Sequence, residues 1–135
     1  MPNLYPEGLT PKEFDALKRC SKEVADFQPE QLLAQARSHL KRIRMLHSKN
    51  LHINVRLAEA IVRAFQNIFS DWENVSPHAR SWCRGMVQYF CVSDDDEHDY
   101  FSPIGFKDDA EVMNACLRLA GREDLCINPD DFDDV

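Results

Sequence analysis

The chain has 135 residues, 44% of them apolar and 29% charged, which is the composition of one folded globular domain. No apolar run approaches the roughly 18 residues needed to span a bilayer, and the N-terminus lacks the pattern of a secretory signal. The net charge of −7 is uneven, because residues 1–70 hold eleven Lys/Arg and seven Asp/Glu, whereas residues 71–135 hold five and sixteen. This asymmetry indicates an interaction surface, and we expect a cytoplasmic protein.

Two helices are predicted in the first third of the chain. Thr10, Pro11 and Glu13 form a capping-box pattern that begins a helix reaching to about residue 27. Pro29 begins a second helix, whose apolar residues from Leu32 to Leu46 recur at helical spacing to about residue 48. The opposite face of this second helix is basic, with Arg37, Lys41 and Arg44 and with Arg42, Lys49 and Arg56 nearby.

Three further helices are predicted at about 53–74, 77–92 and 109–120. The third has a wide apolar stripe, the fourth begins with Ser76-Pro77, and the fifth stops at Gly121, a typical C-terminal cap. No alternating pattern predicts a strand. The fold class is therefore all-α, a bundle of four or five helices with short loops, forming a single helical domain over 1–127. Residues 128–135 read as an acidic C-terminal tail.

A segment between the last two helices is exceptionally acidic. Residues 93–111 hold eight carboxylates in nineteen positions, and acidic residues directly after a helix lie at the unfavourable end of its dipole. Sequences depart from local folding preferences most often at functional sites, so this segment is the first candidate for a functional site. Asp108 is predicted to be the N-cap of the fifth helix, with Glu111 completing a capping box.

The carboxylates from Asp94 to Asp99 allow three interpretations. They are solvated loop residues, or they contact the basic face of the second helix, or they bind a hard cation such as Ca²⁺ or Mg²⁺, which prefers oxygen ligands. The spacing does not match an EF-hand, because Asp99 and Gly105 occupy the positions of the turn glycine and the bidentate glutamate. The candidate metal ligands are Asp95, Asp96, Asp99, Asp108 and Asp109.

The segment from Tyr89 to Leu119 resembles the YkvA family, bacterial proteins of unknown function. An apolar helix, an Asp-rich loop containing a Pro, a Gly, and two aspartates that open the next helix carry the resemblance. The matching residues are Asp99, Gly105, Asp108 and Asp109, with Asp95 or Asp96 as an earlier aspartate. The chain departs from the family at His98, where a proline is usual, and at Pro103, which is displaced by one position. The resemblance covers about a quarter of the chain and implies a helical domain with this loop but no reaction.

Motifs for enzymatic chemistry are absent from the sequence. It has no Gly-rich phosphate loop, no nucleophile elbow and no HExxH zinc pattern. Its five cysteines form no CxxC pair, which predicts reduced thiols packed in the core. The isoelectric point of about 5.1 argues against nucleic acid as a partner.

The sequence therefore predicts a non-catalytic bacterial protein that binds another protein, a second copy of the chain being one possibility. The expected interaction surface consists of Asp94, Asp95, Asp96, Glu97, Asp99, Arg37, Lys41 and Arg44. One alternative is a protein or enzyme that depends on a divalent metal, Mg²⁺ or Ca²⁺, held by the aspartates. Another is an acidic protein that neutralises a basic partner, as a toxin-neutralising or DNA-mimicking protein does. Otherwise no cofactor is expected.

Overall fold

The computed structural model describes residues 5–49, 53–92 and 106–132. Five α-helices lie in these ranges and no strand does, which confirms the predicted all-α bundle. The helices are α1 (Pro11–Glu23), α2 (Pro29–His47), α3 (Val55–Ser70), α4 (Pro77–Val92) and α5 (Lys107–Leu119). Short 3₁₀ segments follow α3 at Trp72–Asn74 and follow α5 at Glu123–Leu125 and Pro129–Phe132.

α1 begins after the predicted Thr10 cap, and α2 begins at Pro29 as predicted. Thr10 Oγ1 accepts a hydrogen bond from the Glu13 amide at 3.1 Å, and Glu13 Oε1 accepts one from the Thr10 amide at 2.9 Å. These two bonds satisfy backbone donors that a helix start leaves unpaired. The start of α2 is similar to that of α1, because the Gln28 amide donates a hydrogen bond to Gln31 Oε1 at 2.8 Å. Proline occupies the first position of both helices, where its missing amide proton costs nothing.

The predicted start of the fifth helix was wrong. Its N-cap is Phe106 and no side chain caps it, so Asp108 lies within the first turn and forms no capping box with Glu111. Phe106 is buried, and its ring centroid lies 6.3 Å from that of Phe90, so packing of this ring fixes where α5 begins. Packing has overridden the local polar signal.

The ends of α1 and α3 also differ from the sequence prediction. α1 ends at Glu23 rather than near residue 27, and α3 ends at Ser70 before the 3₁₀ turn. Gly121 follows α5 as predicted, with a φ of 76°. The Gly121 amide donates to the Arg118 carbonyl at 3.1 Å and the Arg122 amide to the Leu117 carbonyl at 2.8 Å, which is a Schellman motif.

The core is built around α4, which packs against α1, α2 and α5, while α3 packs against α2 and α5. Phe90 of α4 lies at the centre, with ring centroids 5.7 Å from Phe65 and 4.9 Å from His39. Three cysteines are buried among these side chains, and burial raises the pKa of the Cys83 thiol to about 12. Cys83 and the equally buried Cys116 therefore remain protonated and pack as small apolar groups.

The first residues of the predicted acidic tail contact the bundle. Asn54 Nδ2 donates to the Phe132 carbonyl at 2.8 Å, and Lys107 forms an ion pair with Asp130 at 3.3 Å. Of the described helices, none combines the length and the apolar character that crossing a bilayer requires.

Candidate functional site

The acidic half of the predicted interaction surface lies outside the described residues. This holds for Asp94, Asp95, Asp96, Glu97 and Asp99, which fall in the undescribed range 93–105. The basic half is on α2 and is described completely. The predicted site residues that are described are therefore those on α2 and the two aspartates in the first turn of α5, Asp108 and Asp109.

Four basic side chains of α2 are exposed and form what we call the basic face, namely Arg37, Lys41, Arg42 and Arg44. The apolar residues of the helix, Leu32, Leu40 and Ile43 among them, are buried on its other side. No carboxylate occurs between positions 31 and 58 of the sequence, although the same stretch holds six Lys/Arg and the whole chain is acidic. Glu30 in the first turn of α2 is the one carboxylate of this helix, so its four Lys/Arg are only partly balanced from within the helix.

Only one residue of the basic face has an ion pair in the described ranges. Arg44 Nη2 lies 2.9 Å from Glu59 Oε2 of α3, and both side chains are partly exposed, so this pair contributes at most about 1 kcal/mol. Arg37 and Lys41 form no ion pair with a described residue. Met45, 65% exposed, lies beside them and adds an apolar contact to the charged surface. Arg and Met are both enriched at protein–protein interfaces relative to the rest of the protein surface.

The helix that carries the basic face is anchored to the core. His39 is buried and its ring meets the edge of Phe90. Gln35 donates to Gln88 of α4 at 2.7 Å, and Gln88 donates in turn to Glu23 of α1 at 3.2 Å. These contacts join α2 to α4, and α2 also packs against α3, so the basic face has a fixed position on the bundle.

The structure also brings three carboxylates together that are far apart in sequence. Glu13 of α1 and Asp108 and Glu111 of α5 each have an oxygen within 4.8 Å of the other two, and we call them the carboxylate cluster. Asp108 was one of the predicted metal ligands. Glu13 and Glu111 were interpreted only as capping residues, and no sequence signal relates Glu13 to residues almost a hundred positions later.

Partial burial and repulsion between carboxylates raise the pKa values of Asp108 and Glu111, the two members of the cluster on α5. Partial burial raises the pKa of Asp108, and the neighbouring carboxylate of Glu13 raises it further, while Lys12 opposes the shift. The pKa of Glu111 is raised by burial, by Glu13 and by Asp108, against the effect of Lys107. A proton or a cation would relieve this repulsion, and hard divalent cations favour carboxylate oxygens.

The second predicted aspartate of α5 has a different environment. Asp109 is only 5% exposed and is not one of the three clustered carboxylates. It lies near Tyr89 of α4, where burial first and then Asp109 and Asp108 raise the pKa of the phenol well above its ordinary value. The two adjacent aspartates therefore have separate roles, with Asp109 inside the α4–α5 contact and Asp108 on the surface. The other three predicted ligands, Asp95, Asp96 and Asp99, lie outside the described residues.

Comparison of the chain with protein-family models, with curated proteins and with solved structures gave no match. The resemblance to the YkvA family stays a prediction from residues 89–119.

Proposed function

We propose that this protein is a non-catalytic binding module that contacts an acidic surface of another protein through the basic face of α2. The observation that carries the proposal is that Arg37 and Lys41 are exposed, on a helix fixed to the core, and form no ion pair with a residue of the described ranges. A partner with carboxylates at matching positions would be attracted from a distance and oriented as it docks. Charge of this kind mainly sets the choice of partner and the rate of association.

The acidic residues 94–99 are proposed as the second contact surface of the same module. They follow α4 directly in the chain, and Phe90 in the last turn of α4 contacts His39 of α2. A partner that contacts both the basic face and this acidic segment would engage charges of both signs. Such a surface would discriminate against partners that carry only one of them.

The basic face is tested by neutralising it without touching the Arg44–Glu59 pair. The variant carries Arg37→Gln, Lys41→Gln and Arg42→Gln, and its matched control removes three charges from the exposed side of α1 with Lys18→Gln, Arg19→Gln and Lys22→Gln. All six side chains are exposed, so each variant should keep its unfolding free energy to within about 1 kcal/mol. Partners are captured from lysate with the immobilised protein, eluted in steps of salt and quantified.

We expect a set of captured acidic proteins that the α2 variant loses and the α1 control retains, and that moderate salt elutes. Equal loss from both variants would mean that capture reports only general attraction between charges and would contradict the proposal. A third variant, with Asp94→Asn, Asp95→Asn, Asp96→Asn and Glu97→Gln, tests the acidic segment. If its capture profile matches that of the unchanged protein, the segment is not an interface.

The carboxylate cluster favours a second candidate function, the binding of a divalent cation. Three carboxylate oxygens that approach one another to within 4.8 Å could supply part of the six to eight oxygen ligands that Ca²⁺ takes. The pKa values of Asp108 and Glu111 are raised by partial burial and then by the neighbouring carboxylates, and a bound cation would offset both effects. The predicted ligand set would then change, with Asp108 joined by Glu13 and Glu111.

Calorimetric titration with CaCl₂, MgCl₂ and MnCl₂ tests the cation candidate. We expect heat of binding in the unchanged protein, a strong loss of affinity in Asp108→Asn, and no loss in the control Asp26→Asn, an exposed aspartate outside the cluster. The melting temperature of the unchanged protein and of Asp26→Asn should rise with metal concentration, because both are expected to bind the metal. The absence of heat at millimolar concentrations of all three metals would remove this candidate.

A further inference from the structure

A cavity of about 440 Å³ lies at the opposite end of α5 from the carboxylate cluster. The chain before α1 forms one wall, the first turn of α4 a second, and the last turn of α5 with the residues after it a third. Its lining includes the charged side chains of Glu7, Arg118 and Glu123 and the imidazole of His78. The volume falls in the range of small-molecule sites, roughly 300 to 1,000 Å³.

The wall formed by residues 5–8 is held in place by specific contacts. Arg118 Nη2 reaches the Glu7 carbonyl at 3.5 Å, and the ring of Tyr5 meets that of Phe14 edge-on at 6.1 Å. Pro6, which lies between Tyr5 and Glu7 in the chain, is buried. Gly8 has a φ of 87°, a conformation that glycine adopts without strain, and a β-carbon at this position would lie 3.5 Å from Arg118 Nη2. The wall is therefore positioned over Arg118.

Charges of both signs line the cavity, and none of them is used in an ion pair with a described residue. Glu7, Glu123 and Arg118 are all exposed and none belongs to an ion pair of the described ranges. Arg122, four residues after Arg118, does form ion pairs, with Asp124 at 3.0 Å and with Asp71. Opposite charges around one cavity that do not pair with each other are available to a ligand.

We propose that this cavity binds a small zwitterion with an apolar side chain, a free amino acid or a dipeptide. Arg118 and His78 would receive the carboxylate, Glu7 and Glu123 the ammonium group, and Ala115 and Leu119 provide an apolar floor for the side chain. An ion of a single sign would meet a like charge in the same cavity, which disfavours it. Arg118 is suited to the carboxylate because a guanidinium presents a fork of donors that matches two oxygens.

The proposal is tested by titrating the full chain, observed by amide NMR, with L-leucine, glycyl-L-leucine, 4-methylpentanoate and 3-methylbutylamine. The first two probes carry both charges, whereas the last two carry only one each. We expect at least one zwitterion to shift the amides of Glu7, Arg118 and Glu123. It should bind about tenfold or more tightly than either single-charge probe, because each of those probes lacks one of the two charged groups that the cavity would contact.

Arg118→Gln and Glu123→Gln should each weaken zwitterion binding about tenfold, whereas Arg63→Gln and Glu30→Gln, which remove the same charges elsewhere on the surface, should leave it unchanged. Glu123 is exposed, so Glu123→Gln remains a usable variant even if Arg118→Gln fails to fold. The proposal is overturned if neither zwitterion shifts these amides, if a single-charge probe binds as tightly, or if the Glu123→Gln variant binds normally.

Discussion

Gly85 of α4 lies so close to Ser21 of α1 that no larger residue fits between the two helices. A β-carbon placed on Gly85 would lie 3.0 Å from the α-carbon of Ser21 and closer still to its hydroxyl oxygen. Both residues are buried, and α1 packs more extensively against α4 than against α5. This contact sets the separation of the two helices and, through α1, the position of Glu13 beside α5.

Gly85→Ala should therefore destabilise the fold, although alanine is the better helix former by about 1 kcal/mol. We expect a loss of about 1–3 kcal/mol in the free energy of unfolding, measured by urea denaturation, because the two helices must move apart. Ser81→Ala, at an exposed position of the same helix, serves as the control and should change the value by less than about 0.5 kcal/mol. Equal stability of Gly85→Ala and the unchanged protein would show that the helices can separate at no cost.

The Thr10 cap predicts a loss of about 1 kcal/mol for Thr10→Ala, because the Glu13 amide then loses its hydrogen-bond acceptor. Thr10→Ser keeps the hydroxyl group and should retain the stability to within a few tenths of a kcal/mol. The same urea denaturation measures both variants. A loss in the serine variant as large as that in the alanine variant would mean that the methyl group, and not the cap, is what matters.

The raised pKa values of Asp108 and Glu111 set the sign of a pH effect. A carboxyl whose pKa is higher in the folded state binds its proton more tightly there, so it favours folding at low pH. This contribution is lost as the pH rises from below the ordinary carboxyl pKa through the raised value. We expect the unfolding free energy of Asp108→Asn, relative to the unchanged protein, to increase between about pH 3 and pH 7.

Both side chains are exposed, so screening by solvent and salt keeps this effect small, and it should shrink further in 1 M NaCl. Urea denaturation at several pH values measures it. A relative stability that falls as the pH rises would indicate that the carboxylates are stabilised in the fold, for example by the helix dipole, rather than in conflict with one another.

Phe90 of α4 contacts His39 of α2, the helix that carries the basic face. Phe90→Ala should cost about 3–5 kcal/mol, since the ring is fully buried between Phe65, Phe106 and His39. Phe90→Leu keeps most of the volume and should cost considerably less. If the alanine variant lost less than about 1 kcal/mol by calorimetry or urea denaturation, the aromatic cluster would not be the centre of the core.

The helices could be predicted because their signals are local. The Thr10 cap, the prolines at helix starts and Gly121 each act within a few residues of their own positions, and the structure uses them as expected. The start of α5 could not be predicted in this way, because the burial of Phe106 against Phe90 decides it and the polar pattern at Asp108 suggested a later start.

The candidate sites were only partly predictable for the same reason. The basic face of α2 is a single-helix pattern, and its exposure follows from the apolar residues on the other side. The carboxylate cluster joins Glu13 to Asp108, and the cavity joins Glu7 to Arg118. No periodic pattern or motif in the sequence predicts either pairing, because both are produced by the packing of α1 and the residues before it against α5.

The central claim is that the basic face of α2 is the surface that contacts a protein partner. Its most direct test is to map, by amide NMR or hydrogen exchange, where a captured partner protects this protein. The claim predicts that shifts or protection centre on α2 from Arg37 to Arg44, and that salt which releases the partner abolishes them. A partner footprint on other helices that leaves α2 unaffected would contradict it.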